Sequence, residues 1–322
     1  MSTIQLSSIA LNNDPINYVA DSALIQAVEI AIALGKPLVV SGEPGTGKTQ
    51  LAHYLASQLQ QQTKNDPVSF AEKVLVFNTK SGSSANDLFY NYDAVSHFRN
   101  KEDKPASQFI ELRALGLAIG MAHGKNSPQI DCLSTLRQYQ SLSPTPKSSV
   151  VLIDEIDKAP RDFPNDLLNE IENYEFDIKE LNQTIRQPET KARIIIIMTS
   201  NSEKNLPNAF LRRCVFYHIP FPDREKLLNI TRNRMAIGNE TYDRSINQAI
   251  DKFTEYRQQS VNKKPATSEF LDWMNVLKEF GLLDKEVLGN YSSPEDNRKY
   301  DSSLNVLFKS KEDIEKITNK SL

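Results

Sequence analysis

Eight consecutive residues of this chain have the types and the spacing of a phosphate-binding loop. They run Gly42-Glu43-Pro44-Gly45-Thr46-Gly47-Lys48-Thr49 and fit the pattern G-x-x-x-x-G-K-[ST]. The glycines let backbone N–H groups approach phosphate oxygens, the Lys48 ammonium can reach the outer phosphates, and the Thr49 hydroxyl can hold Mg²⁺. We therefore predict that this loop, together with the next residue, Gln50, binds a nucleoside triphosphate with Mg²⁺.

A pair of carboxylates follows an apolar run farther along the chain. The run Val150-Val151-Leu152-Ile153 is typical of a strand buried on both faces, and Asp154 and Glu155 stand at its carboxyl end. Ligands of open α/β sheets bind at this edge. We expect Asp154 to hold Mg²⁺, directly or through water. Glu155 would face the other way, which suits a base that orients the attacking water.

The elements that would position these residues alternate between strands and helices. A short buried strand at 38–41 precedes the loop, and apolar residues at helical spacing follow it from Thr49 to Leu59. Such alternation predicts a parallel sheet between two layers of helices, with right-handed crossovers. The other predicted elements are a helix at 21–34 ending at Gly35, a strand at 74–77 ending at Asn78, a helix at 109–123, and strands at 150–153 and 193–200.

Two stretches are too long to be simple connections. The first, residues 79–149, includes a polar Ser/Pro-rich segment from Lys125 to Ser149 that is predicted to be a loop. The second, residues 174–192, alternates polar and apolar side chains around a turn at Asn182, which predicts an inserted β-hairpin.

The pattern becomes helical after Pro220 and Pro222. Helices are predicted at 224–236, 244–256 and 268–281. The charged stretch 282–322 contains one amphipathic piece, and it is either a docking helix or a flexible end.

Composition narrows the class of protein. The chain has 322 residues, enough for two or three packed units, and its net charge of −3 is not that of a protein that coats nucleic acid. The two cysteines, Cys132 and Cys214, lack a metal-type spacing and indicate a reducing compartment. Without a run of membrane-spanning length or a signal-peptide pattern, we expect a cytoplasmic protein.

Several motifs, taken in chain order, resemble those of the AAA+ ATPases and, within them, of the MoxR family. The resemblance covers roughly residues 15–280, and its most specific part is the run from Ile153 to Leu168. The other matching segments are Gly42 to Thr49, Asp87 to Asp93, Leu115 to Ala118, Thr199 to Asn201, Leu211 to Arg213 and Phe270 to Trp273.

The resemblance implies a fold and a division into domains. The fold is α/β, an AAA+ three-layer αβα P-loop NTPase core with a smaller C-terminal helical lid domain. The implied divisions are a core at 1–220 with a helix-2 insert at about 79–149 and a β-hairpin insert at about 174–192, a lid at 221–285 and a C-terminal tail at 286–322.

The resemblance also implies roles for single residues. Asn201 matches the sensor-1 residue that hydrogen-bonds the γ-phosphate or the attacking water, and Asn78 resembles the polar residue that restrains the catalytic glutamate. Arg212 and Arg213 lie in a segment that resembles the one supplying an arginine finger to the neighbouring subunit, and we favour Arg213. The active site would then be completed in a homo-oligomer, typically a hexamer.

The resemblance also implies a segment that contacts adenine, whereas the chain differs from the family at the sensor-2 position. Tyr18 and Val19 resemble the segment that contacts adenine through its backbone. Where many relatives have an arginine at the start of a lid helix, this chain reads 265–269, Pro-Ala-Thr-Ser-Glu, which supplies no cation. Lys263 and Lys264 are nearby substitutes, and surface lysines are the simpler interpretation.

Three functions remain open at the level of sequence. The leading hypothesis is hydrolysis of ATP with Mg²⁺, coupled to remodelling or assembly of a partner protein, because MoxR relatives often act with proteins carrying a von Willebrand A domain. A nucleic-acid-linked motor or loader of the restriction or defence type would use the same core, although the charge balance does not favour it. A nucleotide-dependent scaffold without useful turnover is the third, and Glu155 argues against it. We expect a protein client, with neither nucleic acid nor membrane.

Overall fold

The computed structural model describes residues 14–99, 104–134, 136–235, 242–283, 285 and 287–318. The chain divides into two compact units. The sheet unit comprises residues 20–42 and 48–219, and the helical unit comprises the described residues within 1–19, 43–47 and 220–322. The parts of the predicted elements and domains that fall on 1–13, 100–103, 135, 236–241, 284, 286 and 319–322 lie outside the described residues.

The described part of the sheet unit contains nine strands. In chain order they are β1 (Leu38–Gly42), β2 (Leu75–Asn78), β3 (Tyr90–Tyr92), β4 (Ile110–Leu112), β5 (Ser149–Asp154), β6 (Glu175–Ile178), β7 (Gln183–Arg186), β8 (Ile194–Ser200) and β9 (Val215–Ile219). Five of them form one parallel sheet in the order β2-β5-β8-β1-β9. The predicted parallel sheet is confirmed, while β9 and the pair of β3 and β4 have no counterpart in the sequence prediction.

The three central strands of the sheet, β5, β8 and β1, are apolar along nearly their whole length and almost wholly buried. Strands covered on both faces require such continuous apolar runs. The register places Asn78 opposite Asp154 and Ser41 opposite Ser200. The segments that leave β2, β5, β8 and β1 therefore start from the same edge of the sheet.

Six α-helices lie among the described residues of this unit. They are α1 (Ser22–Leu34), α2 (Lys48–Gln62), α3 (Ala94–Arg99), α4 (Ala114–His123), α5 (Phe163–Asn173) and α6 (Asn208–Leu211). Asp21 caps α1 by accepting a hydrogen bond from the Leu24 N–H at 2.7 Å, and the helix ends before Gly35, as predicted. Both α2 and α4 pack on β5 and β8, so they bury the centre of the sheet.

The first inserted region corrects two sequence predictions. The helix predicted at 109–123 starts only at Ala114, because the residues before it pair with β3 as strand β4. The Ser/Pro-rich segment is not a plain loop, since 3₁₀ helices at Pro128–Leu133 and Arg137–Ser141 lie in it and Ile130 is buried. Apolar residues scattered among Ser and Pro are enough to anchor short turns, although they give no helical period.

The second inserted region is the predicted β-hairpin. Strands β6 and β7 pair antiparallel, with Glu175 opposite Arg186 and Ile178 opposite Gln183. A short 3₁₀ turn joins them, and Asn182 takes the left-handed conformation at its end with φ 50°. Asparagine tolerates this conformation better than most residues do, which explains the position of the turn.

The helical unit contains five α-helices among its described residues. They are α7 (Arg224–Met235), α8 (Asp243–Gln259), α9 (Thr267–Glu279), α10 (Pro294–Ser303) and α11 (Lys311–Thr318). Trp273 lies fully buried at the centre and donates to the Ser303 hydroxyl at 2.9 Å, while the hydroxyls of Tyr256 and Tyr300 lie 2.9 Å apart. The segment that the sequence left open as a docking helix or a flexible end thus contributes α10 to this core. In the described part of the chain, no helix has both the length and the apolar character needed to span a membrane.

Candidate active site

The first two residues of α2 lie at the carboxyl edge of the parallel sheet. Lys48 is buried, and its ammonium donates a hydrogen bond to the carbonyl oxygen of Gly42 at 2.8 Å. The Thr49 hydroxyl donates to Oδ1 of Asp154 at 3.1 Å. Both residues stand at a helix N-terminus, where free N–H groups and the helix dipole favour an anion. The cation and the hydroxyl can therefore hold phosphates and a metal ion next to each other.

The oxygen atoms of Thr49 and Asp154 fit Mg²⁺. Hydroxyl and carboxylate oxygens are hard ligands, and this ion keeps most of its coordination positions for water and phosphate oxygens. Two protein side chains are thus a sufficient contribution, and these two already lie within hydrogen-bond distance of each other. The assignment of both residues to the metal has suitable chemistry and proximity, and it stays a prediction.

Thr199 links the two carboxylate residues and was missed as a site residue by sequence reasoning. It is 1% exposed on β8, its hydroxyl donates to Oδ1 of Asp154 at 2.6 Å, and it accepts from the N–H of Glu155 at 2.8 Å. One side chain therefore fixes both residues of the pair. A hydroxyl residue at the end of an otherwise apolar strand was the available signal.

Glu155 has a strained backbone and two partners for its carboxylate. Its φ of 55° and ψ of 51° lie in the left-handed region, which is costly for a residue with a Cβ. The Asn201 amide donates to Oε1 at 3.1 Å, and the Lys158 ammonium donates to Oε2. The structure thus brings Glu155 and Asn201 together and adds Lys158, which the sequence had not singled out.

Lys158 changes the electrostatics at Glu155. Its hydrogen bond to that carboxylate raises the pKa of Lys158, although burial acts in the opposite direction. The lysine therefore stays charged at neutral pH and offsets the charge of its partner. In this arrangement the ammonium occupies an oxygen that an attacking water could otherwise use.

Asp157 anchors the segment that follows β8. It is 3% exposed, and its carboxylate accepts from the N–H of Asn201 at 3.4 Å and from the N–H of Glu203 at 2.9 Å. The Ser202 hydroxyl lies 2.7 Å from that of Ser41 on β1. These contacts hold the Asn201 segment against both neighbouring strands, so the amide of Asn201 has a defined position.

Asn78 lies near the carboxylates without contacting Glu155. It ends β2 opposite Asp154, but among the described residues its side chain makes no hydrogen bond to Glu155, whose oxygens face other partners. It lines a cleft of about 340 Å³. Polar and charged residues of the same cleft are Lys80, Ser83, Asp87, Asn91 and Arg113. A restraining role for Asn78 stays a prediction.

The two predicted finger arginines follow α6 and differ in their contacts. Both are exposed. Arg213 forms an ion pair with Glu172 at 3.0 Å, whereas Arg212 makes no ion pair within the described part of the chain. Neither side chain forms a hydrogen bond to Asp154 or Glu155 in the described part of the chain. The preference for Arg213 as the finger stays a prediction.

The middle of the phosphate loop, Glu43–Gly47, belongs to the helical unit. Gly45 and Gly47 have φ values of 76° and 88°, which side chains rarely allow. A Cβ at Gly47 would lie 3.0 Å from the ring of Tyr18, so glycine permits this close approach. Tyr18 and Val19, the predicted adenine contacts, are both half-buried.

Three further residues of the predicted phosphate-binding segment are Pro44, Thr46 and Gln50. The Thr46 hydroxyl donates to the carbonyl oxygen of Glu43 at 2.8 Å and closes the turn of the loop. Pro44 is exposed at its tip. Gln50, in the sheet unit, is the third residue of α2 and is half-buried.

The two lysines near α9 do not behave as a substitute for the arginine that is missing at the sensor-2 position. Lys263 forms an ion pair with Glu269 at 3.2 Å, and Lys264 is exposed. Ser268 in the first turn of α9 would collide with any Cβ placed on Gly45, so a hydroxyl rather than a cation approaches the loop there. The sequence departure noted at 265–269 is thus matched by the contacts of the helical unit.

Both cysteines have suppressed acidity. Burial raises the pKa of Cys214 to about 12 and also raises the pKa of Cys132. Thiolates are the reactive form of cysteine, so both side chains are protonated and unreactive at neutral pH.

The chain matches one sequence family, and its fold is similar to that of solved structures. Residues 37–214 match the family model described as AAA domain, dynein-related subfamily. No curated protein matches the sequence. Among solved structures, a RuvB mutant from Thermotoga maritima is similar at a TM-score of 0.50 and 14% identity, covering 92% of this chain and 74% of that chain. A candidate ATPase from Cytophaga hutchinsonii covers 96% of this chain and 92% of its own at 15% identity, with a TM-score of 0.39. At 14% identity, the likeness to the RuvB mutant is one of fold.

Proposed function

The chain belongs to the AAA domain family, dynein-related subfamily, and on that premise we propose that it is a MoxR-like ATPase that couples ATP hydrolysis to the remodelling or assembly of a partner protein. Membership of the family makes it an ATPase. The observation that carries the proposed site is the meeting of five side chains at one edge of the sheet. These are Lys48, Thr49, Asp154, Glu155 and Asn201.

In the proposed reaction, water attacks the γ-phosphorus of ATP, the bond from that phosphorus to the β–γ bridging oxygen breaks, and ADP leaves with the electron pair. Glu155 orients the water and accepts its proton. Asn201, hydrogen-bonded to Glu155, directs its amide toward the same water or the γ-phosphate. Lys48 holds the phosphates at the start of α2. Mg²⁺, when bound by Thr49 and Asp154, offsets the charge on the phosphate oxygens.

The substitution Glu155→Gln tests this mechanism. An amide has nearly the shape of the carboxylate but cannot accept the proton, so we expect kcat to fall by about a hundredfold or more. Binding of Mg-ATP, measured by calorimetry, should persist because the loop and Lys48 are unchanged. A variant that releases phosphate as fast as the wild type would overturn the assigned role.

The proposed assembly is a homo-hexameric ring in which Arg212 or Arg213 reaches the nucleotide of the neighbouring subunit. AAA ATPases commonly oligomerise. Both arginines are exposed, and the pair between Arg213 and Glu172 is half exposed, so solvent screens it strongly. Arg213 can therefore exchange Glu172 for a phosphate oxygen, which an arginine binds with charge-assisted hydrogen bonds.

A mixing experiment tests whether the site is shared between subunits. The variant Glu155→Gln and the double variant Arg212→Ala/Arg213→Ala should each be inactive alone. In mixed rings, the double variant supplies an intact Glu155 and its neighbour supplies the arginines, so activity should return. Mixtures that stay inactive, although sedimentation shows them to co-assemble, would contradict a shared site.

The proposal includes a protein partner. Support comes from the run Ile153 to Leu168 and from the two inserts, about 79–149 and about 174–192, within a proposed core at 1–220. The proposed lid is 221–285 and the tail 286–322. A protein with a von Willebrand A domain is the proposed class of client.

The partner class can be tested by stimulation of ATP hydrolysis. Turnover is measured with a purified von Willebrand A domain protein, and separately with single-stranded and double-stranded DNA. Stimulation by the protein supports the proposal. Stimulation by DNA, together with DNA binding that weakens steeply with salt, would instead indicate a nucleic-acid-linked motor.

A further inference from the structure

Arg257, near the end of α8, is held from three sides within the helical unit. Its guanidinium carbon lies 3.7 Å from the centroid of the Phe221 ring. Nη1 donates to the carbonyl oxygen of Pro265 at 2.5 Å, and Nη2 donates to Oε2 of Glu43 at 2.5 Å. The side chain is only 13% exposed. Stacking and two directed hydrogen bonds leave a planar guanidinium one orientation.

The surface that supports Arg257 is part of a packed aromatic core. Phe221 stacks on Phe253 at 6.3 Å between centroids, and Phe253 contacts Phe270 at 4.6 Å. Phe253 and Phe270 are completely buried. Phe253 also precedes Arg257 by one turn of α8, so both side chains lie on the same helix face. The direction of the guanidinium is therefore set by the core, and it is directed at Glu43.

Glu43 joins that fixed cation to the turn of the phosphate loop. Its carbonyl oxygen accepts from the N–H of Thr46 at 3.3 Å and from the Thr46 hydroxyl at 2.8 Å. Its carboxylate is the acceptor for Arg257. A carboxylate in a loop that receives a triphosphate would repel it, because like charges a few ångströms apart interact appreciably even near a protein surface.

We propose that Arg257 is a positioning residue for the phosphate loop: through Glu43 it fixes the turn from Glu43 to Thr46 and neutralises the one carboxylate that the loop carries. The proposal rests on the function proposed above and extends it to a residue outside the loop motif. It requires that the affinity for nucleotide, rather than the chemical step, depends on the pair of Arg257 and Glu43.

The test measures nucleotide binding by the full chain without any partner. Arg257→Met keeps the unbranched apolar stem of the side chain and removes the guanidinium with its charge, so the Kd for Mg-ADP and the KM for Mg-ATP should rise by about tenfold, while kcat changes by less than about twofold. In a Glu43→Gln background the same Arg257→Met change should alter Kd by less than about twofold, because no unpaired carboxylate remains.

Two further variants separate positioning from a structural role. Arg244→Met removes an exposed arginine from the same helix and should bind Mg-ADP like the wild type. Arg257→Gln can still donate to the Pro265 carbonyl, and it replaces Arg257→Met if thermal unfolding shows that variant to be misfolded. An Arg257→Met effect of equal size with and without Glu43→Gln, or a loss confined to kcat, would overturn the proposal.

The failure of this proposal is distinguishable from failure of the proposed function. Binding of Mg-ADP needs neither hydrolysis nor a client, so the double-variant comparison keeps its meaning if no partner stimulates turnover. Conversely, an Arg257 effect independent of Glu43 would leave the assignment of Glu155 untouched.

Discussion

The Thr199 hydroxyl donates to Oδ1 of Asp154 at 2.6 Å while it accepts from the N–H of Glu155. Thr199→Val keeps the shape of the side chain, but the half-buried N–H of Glu155 loses its acceptor, at a cost of about 1–3 kcal/mol, and Asp154 keeps only the hydrogen bond from Thr49. We expect kcat for ATP hydrolysis to fall by about tenfold or more. Thr199→Ser, which keeps the hydroxyl, is the control and should retain most of the activity. Steady-state phosphate release measures both, and a fully active valine variant would contradict the assignment.

Lys158 opposes the proposed work of Glu155, because its ammonium occupies Oε2 of that carboxylate. We expect Lys158→Met to raise basal ATP turnover by about two- to fivefold, since a half-exposed ion pair is a modest restraint. Lys158→Arg keeps the charge and should remain near the wild-type rate. Turnover is measured without a partner protein. A decrease in Lys158→Met would instead mean that the lysine helps to orient the base.

The elements that sequence reasoning found are those whose signals are local. The phosphate loop is eight consecutive residues, β5 and β8 are continuous apolar runs, and Asp21 and Gly35 mark the two ends of α1. Each of these signals is contained in a few consecutive residues, because a short segment is enough to show a helix cap or a strand that is buried on both faces.

The features that the sequence did not predict are contacts between segments that are distant in the chain. Thr199 and Asp154 are separated by 45 positions in sequence, and nothing in the segment Thr199 to Asn201 indicates that its first hydroxyl contacts Asp154. Strand β4 has only three residues and forms by pairing with β3. Three residues are too few to show the alternation of polar and apolar side chains that predicts a strand. Arg257 and Glu43 are 214 positions apart, and only the folded helical unit reveals them as a pair.

Two glycines on α4 provide a matched test of packing. A Cβ on Gly116 would lie 2.0 Å from the carbonyl oxygen of Phe89, a backbone atom that cannot move aside, whereas the nearest atom to a Cβ on Gly120 is 3.5 Å away in the Leu142 side chain. We expect Gly116→Ala to lower the free energy of unfolding by about 1–3 kcal/mol through overpacking. Gly120→Ala should raise it by up to about 1 kcal/mol through helix propensity. Urea unfolding measures both, and equal stabilities would show that the helix shifts freely.

His123, at the end of α4, gives the stability of the sheet unit a dependence on pH. The residue is buried, its Nε2 donates to the carbonyl oxygen of Arg186 at 2.7 Å, and its Nδ1 lies 3.2 Å from the Ser127 hydroxyl. Burial lowers the pKa of His123 below its ordinary value of 6.5, against the opposing effect of the Arg186 bond. The unfolded chain therefore binds a proton before the folded chain does, so the free energy of unfolding falls as pH decreases below about 6.5. His123→Gln can keep the bond to Arg186 without titrating, and its stability should fall less than that of the wild type between pH 7.5 and 5.5. Urea unfolding at both pH values measures the difference, and parallel losses in the two proteins would show that His123 is not the titrating group.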